Sequence, residues 1–373
     1  GAAMLYADRW EQRADAEGKL YSPQLHPVID YQEGALRDDF DFGGLWLVRG
    51  DLLREYAATT KKLYLYAAIY DLRLFLSRKG KIIHLREPLY TETEKDLRKS
   101  GERQFDYVNP NALEVQKEME DAVTRHLKAI GAWVPAPEKD NVSSKVESNG
   151  NFPVEASVII PVRNRVRTIT DAVQSALQQT TDFSMNVIVI DNHSTDGTGE
   201  AVRSIIDPRV ICMVPEQNDL GIGGCWDLAI RSPHCGRYAI QLDSDDLYSS
   251  TDTLQRIVNK FKEEHAAMVI GSYSMVDFNL RPLPPGLIAH REWTEENGRN
   301  NALRINGLGA PRAFDTTILR QIGFPNTSYG EDYAVGLAIS RNHHIARIYD
   351  ELYLCRRWEG NSDAVLSVEK ENN

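Results

Sequence analysis

Between residues 156 and 246 the chain alternates short apolar runs with segments of helical periodicity. This alternation restricts the fold more than any other feature. The runs are Ala156–Pro161, Asn186–Ile190, Val210–Val214 and Tyr238–Leu242. Between them, Ile169–Leu177, Thr198–Ile206 and Gly224–Ile230 carry apolar residues at helical spacing. Strands that are apolar on both sides must be covered on both sides. Alternating with helices, they predict an α/β domain built on a parallel sheet. Ligands of such sheets gather at the carboxyl ends of the strands. Asn164, Asp191 and Asp243 fall at or just after those ends.

The run that ends at Leu242 opens into Asp243-Ser244-Asp245-Asp246. Three carboxylates in one turn repel one another unless a cation neutralises them. Hard divalent ions such as Mg²⁺ or Mn²⁺ take oxygen ligands and bridge phosphates, so the turn predicts a metal site for a diphosphate-bearing substrate. A second acidic pair, Glu331-Asp332, opens a helical segment running to Arg341. Acids at a helix start also complement the dipole, and that alternative stands beside a catalytic one.

Bulk properties remove several classes of function. The 373 residues carry a formal net charge of −11, which disfavours a broad electrostatic grip on nucleic acid. No apolar run is long enough to cross a bilayer, and no signal peptide is expected at the start. Cys212, Cys225, Cys235 and Cys355 form no Cys-x-x-Cys pair, which argues for reduced thiols in a cytoplasmic protein and against zinc. The paired His343-His344 at a helix end reads as exposed histidine rather than a metal site.

Residues 109 to 131 read as one helix stopped by Gly131, followed by a Pro-, Ser- and Asn-rich linker to Gly150. The first hundred residues repeat the last hundred. Tyr66, Tyr70, Leu74, Ser77 and Arg78 match Tyr329, Tyr333, Leu337, Ser340 and Arg341 at a constant offset, and Leu89-Tyr90 matches Leu352-Tyr353. Ala2-Ala3-Met4 matches Ala266-Ala267-Met268, and Leu53-Arg54 matches Leu319-Arg320. The expected organisation is a half module over 1–108, helix and linker over 109–152, and a complete domain over 153–373. Gly1 opens inside an expected strand, so the first part reads as the trailing half of an upstream module. Its residues Ala68-Ile69 stand where the second copy has Glu331-Asp332, so those positions cannot do acid–base work.

Taken in order, Ser157–Pro161, Arg163-Asn164, Asp191–Gly197, Asn218, Gly221, the Asp243 turn and Tyr329-Gly330-Glu331-Asp332 resemble glycosyltransferase family 2 over roughly residues 153 to 363. The resemblance implies the GT-A fold, a mostly parallel sheet flanked by helices, here preceded by a partial α/β repeat of its C-terminal half. It also implies inverting transfer of a sugar from a nucleotide-diphosphate donor, a UDP-sugar favoured, to a hydroxyl acceptor in polysaccharide or glycoconjugate assembly. By that resemblance Pro161, Arg163, Asn164, Asp191, Asn218, Gly221, Asp243 and Ser244 hold the nucleotide and donor. Asp245 with Asp243 holds Mn²⁺ or Mg²⁺, and Asp332 with Glu331 supplies the general base. Asp246 is either a third acid or a helix cap, and Asp196 caps the next helix. The family's usual histidine after the last strand is absent; Trp358 and Arg356 stand there as sugar or diphosphate contacts. The acceptor, a saccharide or a lipid-linked one, would meet a mobile loop over 281–309. Peripheral association with a membrane is compatible with these expectations, nucleic-acid binding is not.

Three alternatives stand beside this reading, one of them a pure scaffold in which the repeat serves only packing. A sugar-1-phosphate nucleotidyltransferase would need a glycine-rich first loop with Arg and Lys, which Pro161-Val162-Arg163-Asn164 is not. A catalytically silent nucleotide-sugar-binding module would lose the acids, and Glu331-Asp332 is intact.

Overall fold

A computed structural model describes residues 1–14, 19–94, 112–136, 151–291 and 293–361. The chain divides into two compact units. The first holds residues 1–134 with 300–305 and 359–373, and the second holds 135–299 with 306–358. The expected linker over 137–150 lies outside the described residues.

In the first unit the long strand β1 (Ala2–Arg13) is central. It pairs antiparallel with β2 (Gln24–His26) and β3 (Leu47–Val48), while helices α1 (Gly50–Thr59) and α2 (Ala68–Ser77) lead to β4 (Lys81–Glu94), which returns parallel to β1. Met4, Tyr6, Phe42, Leu52, Phe75 and Leu76 form its core. Helix α3 (Leu113–Ala129) buries Ala122, Val123 and Leu127 against Tyr70 and Leu74. It starts and stops inside the expected 109–131 range, with Gly131 at φ 70° just beyond its end.

In the second unit the alternation yields β5 (Ala156–Val162), α4 (Ile169–Leu177), β6 (Met185–Asp191), α5 (Thr198–Arg203), β7 (Val210–Met213), α6 (Ile222–Arg231) and β8 (Tyr238–Gln241). The chain then turns sharply into β9 (Leu247–Tyr248), α7 (Thr253–Glu264), β10 (Met268–Asp277) and β11 (Pro282–Ile288). After a single helical turn at Gly298–Asn301 it continues through β12 (Arg312–Asp315), α8 (Thr316–Ile322), α9 (Glu331–Asn342) and β13 (Ile345–Arg357). The sheet order is β7-β6-β5-β8-β12-β10-β13-β9, with β11 on β10. Strands β5, β6, β7, β8, β10 and β13 share one direction; β9, β11 and β12 oppose it. The fold is thus the expected mixed α/β one with a mostly parallel sheet. Every residue of β6 is buried, as a strand covered on both faces requires.

Two expectations need correction. The stretch 281–309 is not one loop: β11 and the helical turn occupy part of it, because Tyr273 and Ser274 of β10 pair with Ile288 and Leu287. His343 and His344 are half-buried rather than exposed, and the His344 Nε2 sits 2.8 Å from Glu264 Oε2.

Candidate active site

The acidic turn is clamped from three sides. Its entry is fixed by the Leu242 N–H donating to the Ile159 carbonyl at 3.2 Å. The Asp243 N–H donates to Tyr353 Oη of β13 at 2.9 Å, and Gln241 Nε2 donates to Asp243 Oδ1 at 3.0 Å. Asp246 Oδ1 accepts the Arg356 N–H at 2.8 Å. Asp246 precedes strand β9, not a helix, so the cap alternative is wrong; it is a buried tether between the turn and β13. Ser244 is buried within the turn.

Asp245 faces the other way. Its Oδ2 accepts from Trp358 Nε1 at 3.1 Å and lies 3.8 Å from Arg165 Nε. The Trp358 ring is flanked by Phe278, with centroids 5.5 Å apart, and by the Arg167 guanidinium at 4.9 Å. Arg356 is buried and bonded to the Asp245 carbonyl and to Asp171 Oδ2. It braces the turn.

Glu331 and Asp332 begin helix α9 on the same side of the sheet as Asp243. Asp332 Oδ2 pairs with Arg312 Nη2 at 2.8 Å, and its Oδ1 accepts from the Tyr333 N–H at 2.7 Å. Burial raises the Asp243 carboxyl above the usual carboxylate range, with Asp245 and Asp332 adding to the effect against the bond from Gln241. Burial also raises Glu331, to about 7, with Asp332 the next contributor. Burial opposes the charge of Arg312, yet Asp332, Asp243 and Glu331 keep its guanidinium above its ordinary value. Carboxylates from the turn and from the start of α9 therefore share one field. Burial together with like-charged neighbours is the arrangement that displaces pKa values at functional sites.

The other predicted positions lie along the rim. Pro161 is in β5, opposite Ile190. Asn164 adopts φ 55°, donates its N–H to Ser194 Oγ at 2.9 Å and accepts from Thr195 N–H at 2.8 Å. It staples the loop after β5 to the loop after β6. Arg163 and Asn218 are exposed. Asp191 ends β6, two strands from β8, with Oδ1 accepting from the Ser194 N–H at 3.0 Å. At about 4.8 Å per strand spacing, it stands roughly 10 Å along the rim from the acidic turn. It is on the same edge of the sheet but outside the carboxylate cluster. Beside it, Asn192 Nδ2 donates to the Leu220 carbonyl at 2.8 Å, while its buried Oδ1 has no partner among the described residues. Asp196 accepts from the Thr198 N–H at 3.0 Å, at the first turn of α5.

Gly221 and its neighbours have a packing role that the sequence concealed. The Gly221 N–H donates to Asn326 Oδ1 at 2.8 Å, and a Cβ on Gly223 would stand 2.0 Å from the Pro325 carbonyl oxygen and 2.9 Å from Glu331 Cβ. Glycines at the start of α6 thus let the 325–328 segment approach closely and deliver Glu331 and Asp332 to the rim.

Arg312 and Gln241 were missed from sequence. A cation opening the short strand Arg312-Ala313-Phe314-Asp315 was the available signal. Gln241, in a buried strand, donates to Asp243 and accepts the Arg312 N–H at 3.1 Å.

Among the described residues no three His, Cys, Asp or Glu side chains are grouped to hold a metal ion by themselves. The donor set still fits a hard divalent ion. Such ions bind one or two carboxylates and complete their shell with phosphate oxygens and water.

Residues 157–322 match Glycosyl transferase family 2. The chain is 35% identical over 187 residues to WfaP of Escherichia coli, named UDP-Glc:alpha-D-GlcNAc-diphosphoundecaprenol beta-1,3-glucosyltransferase, covering 49% of this chain and 69% of that one. It is 30% identical over 129 residues to the succinoglycan biosynthesis protein ExoO of Rhizobium meliloti, covering 35% of this chain but only 36% of ExoO. Among solved structures, S. aureus TarS 1-349 in complex with UDP-GlcNAc aligns with a TM-score of 0.46 and 25% identity, over 57% of this chain and 62% of that one. The chain belongs to glycosyltransferase family 2. It is a glycosyltransferase, and the nucleotidyltransferase alternative falls. No helix among the described residues is long and apolar enough to cross a membrane.

Proposed function

We propose that the second unit transfers a sugar, with inversion, from a nucleoside-diphosphate donor to a hydroxyl acceptor in glycan assembly. The observation that carries this is the link between the two acidic segments at the carboxyl-end rim of the sheet: Arg312 Nη2 meets Asp332 Oδ2 at 2.8 Å, and the Arg312 N–H donates to Gln241, which donates to Asp243. Asp332 takes the acceptor hydroxyl proton as that oxygen bonds to C1. The C1–O bond to the diphosphate breaks, and the nucleoside diphosphate leaves from the opposite face. Asp245 and Asp243 would hold a divalent ion, which supplies Lewis-acid charge for the leaving diphosphate. Asp191, two strands along the same rim, with the Asn192 Oδ1 beside it, suits a base or ribose. The named donor of WfaP supports a UDP-sugar, and its named acceptor supports a lipid-linked one. The test is a screen of nucleotide sugars for donor turnover with Mn²⁺, comparing wild type with Asp332→Asn and Asp245→Ala. Wild type turns over a UDP-sugar with an inverted product anomer, and Asp332→Asn loses about 10²–10⁴-fold. Equal turnover by all three proteins rejects the assignment.

The first unit we take to be a relative of the second half of the transferase domain, lacking its acids. Pairing registers support this. Met4 faces Ile82 and Val48, as Met268 faces Ile345 and Phe314. Both parallel ladders then shift register, and they resume at Asp8 opposite Pro88 and at Ser272 opposite Glu351. They continue with Arg9 opposite Tyr90 and Tyr273 opposite Tyr353. Ile69, the counterpart of Asp332, is exposed and has no acid–base chemistry.

A further inference from the structure

We propose that Arg312 is a positioning residue for catalysis, fixing the plane of the Asp332 carboxylate and tying it to the 308–309 backbone. The inference rests on the assignment of Asp332 as the base.

The Arg312 guanidinium has three acceptors in different directions. Nη2 meets Asp332 Oδ2 at 2.8 Å, and Nη1 donates to the carbonyls of Leu308 and Gly309, each at 2.9 Å. A guanidinium is planar and its donors are fixed in a fork, so three such acceptors define its orientation, which an ammonium on a flexible stem cannot do. The other oxygen of Asp332 is held by the Tyr333 N–H at 2.7 Å. Both oxygens are thereby placed, and a carboxylate with about four lone-pair sites keeps room to accept from a hydroxyl.

The support extends to the opposite side of the cleft. The Arg312 N–H donates to Gln241 Oε1 at 3.1 Å, and the same amide donates from Nε2 to Asp243 Oδ1 at 3.0 Å. Strand β12 therefore registers the base against the acidic turn through one glutamine. Holding two backbone carbonyls alone needs no cation. A side chain that also pairs with Asp332, beside Asp243 and Glu331, supplies the one property a neutral donor lacks.

Moving a reacting group by about 1 Å costs about 10²-fold in rate. In Arg312→Ala, kcat is expected to fall about 10- to 100-fold while KM for the sugar donor stays within about threefold, since the bridge to the donor position Asp243 runs through the backbone N–H of residue 312, which alanine keeps. Added guanidinium or methylguanidinium at non-denaturing concentration should restore part of the lost kcat. A purely structural defect would be worsened by that additive. Full kcat in Arg312→Ala overturns the proposal, and so does a loss that guanidinium leaves untouched in a protein that still binds UDP. Where Arg312→Ala does not fold, Arg312→Lys decides: a reduced kcat with unchanged UDP binding supports the proposal, and wild-type kcat overturns it. Asp332→Asn separates the two levels. If it keeps wild-type turnover, the base assignment is what fails; if it is inactive while Arg312→Ala and Arg312→Lys are fully active, only the positioning role fails.

Discussion

Glu331 shows how a single side chain registers the field of the site. It is 7% exposed, and its carboxyl is raised from 4.5 to about 7. The folded state then holds a proton that the unfolded chain releases, so folding stability falls as pH climbs from about 4.5 to 7. Glu331→Gln removes that penalty. Its melting temperature should match wild type near pH 4.5 and exceed it increasingly toward pH 7.5, with a limit of about 3 kcal/mol. Thermal melts of both proteins across that range, in chelator, check it; parallel curves would contradict the raised carboxyl. At this scale the acids were legible. Asp243, Asp245 and Asp332 stand out because they break apolar periodicity at strand and helix ends. Arg312 was not, because what makes it matter is a pairing across 20 residues to Asp332, and no local pattern encodes that. Trp358 and Arg356 were legible as positions; the bonds they make within the chain were not. Their hydrogen bonds go to the acidic turn itself, one to the side chain of Asp245 and the other to its backbone.

Elements aim these side chains. Helix α9 points its first two residues at the rim only because the preceding segment lies directly on the start of α6. Gly223 permits that approach, since a Cβ there would collide with the Pro325 carbonyl oxygen. Gly223→Ala should cost about 1–3 kcal/mol as an overpacked contact. It should also lower transfer about 10²-fold by displacing Glu331 and Asp332. Donor turnover and a urea titration measure the two effects, and an Ala variant with wild-type values of both would remove the glycine run from the site. By its resemblance to the family, this run was expected near the sugar donor. Here the backbone that comes close is the protein's own. Between residues 156 and 242 the strands and helices followed from periodicity; β11 did not, because Pro282, Pro284 and Pro285 resemble loop residues and are tolerated only because β11 lies at a sheet edge.

Across the whole molecule, the residues paired by the kinship proposed for the two units have different surroundings. Leu47 and Leu53 are 60% and 46% exposed, whereas their counterparts Ala313 and Leu319 are both 0% exposed. In the second unit β12 pairs with β8 and helix α8 contacts α6, and these elements cover that face. Leu319→Ala should therefore cost about 2–5 kcal/mol, the usual range for a buried leucine, while Leu53→Ala should cost under about 1 kcal/mol. Hydrogen exchange followed separately in each unit reads the two changes, and equal costs would count against the difference in covering.

The sequence by itself determined the α/β alternation, the rim at which polar residues collect, the acidic turn and the acids that open α9. These are properties of neighbours in the chain, set by side-chain period and by where apolar runs end. Tertiary structure alone decided that Asp332 is held by an arginine from another strand, that glycines at the start of α6 admit the 325–328 backbone, and that Asp246 and Arg356 brace the turn. Those outcomes depend on the order in which strands assemble across the sheet, which brings distant segments to hydrogen-bonding distance and leaves no trace in local spacing.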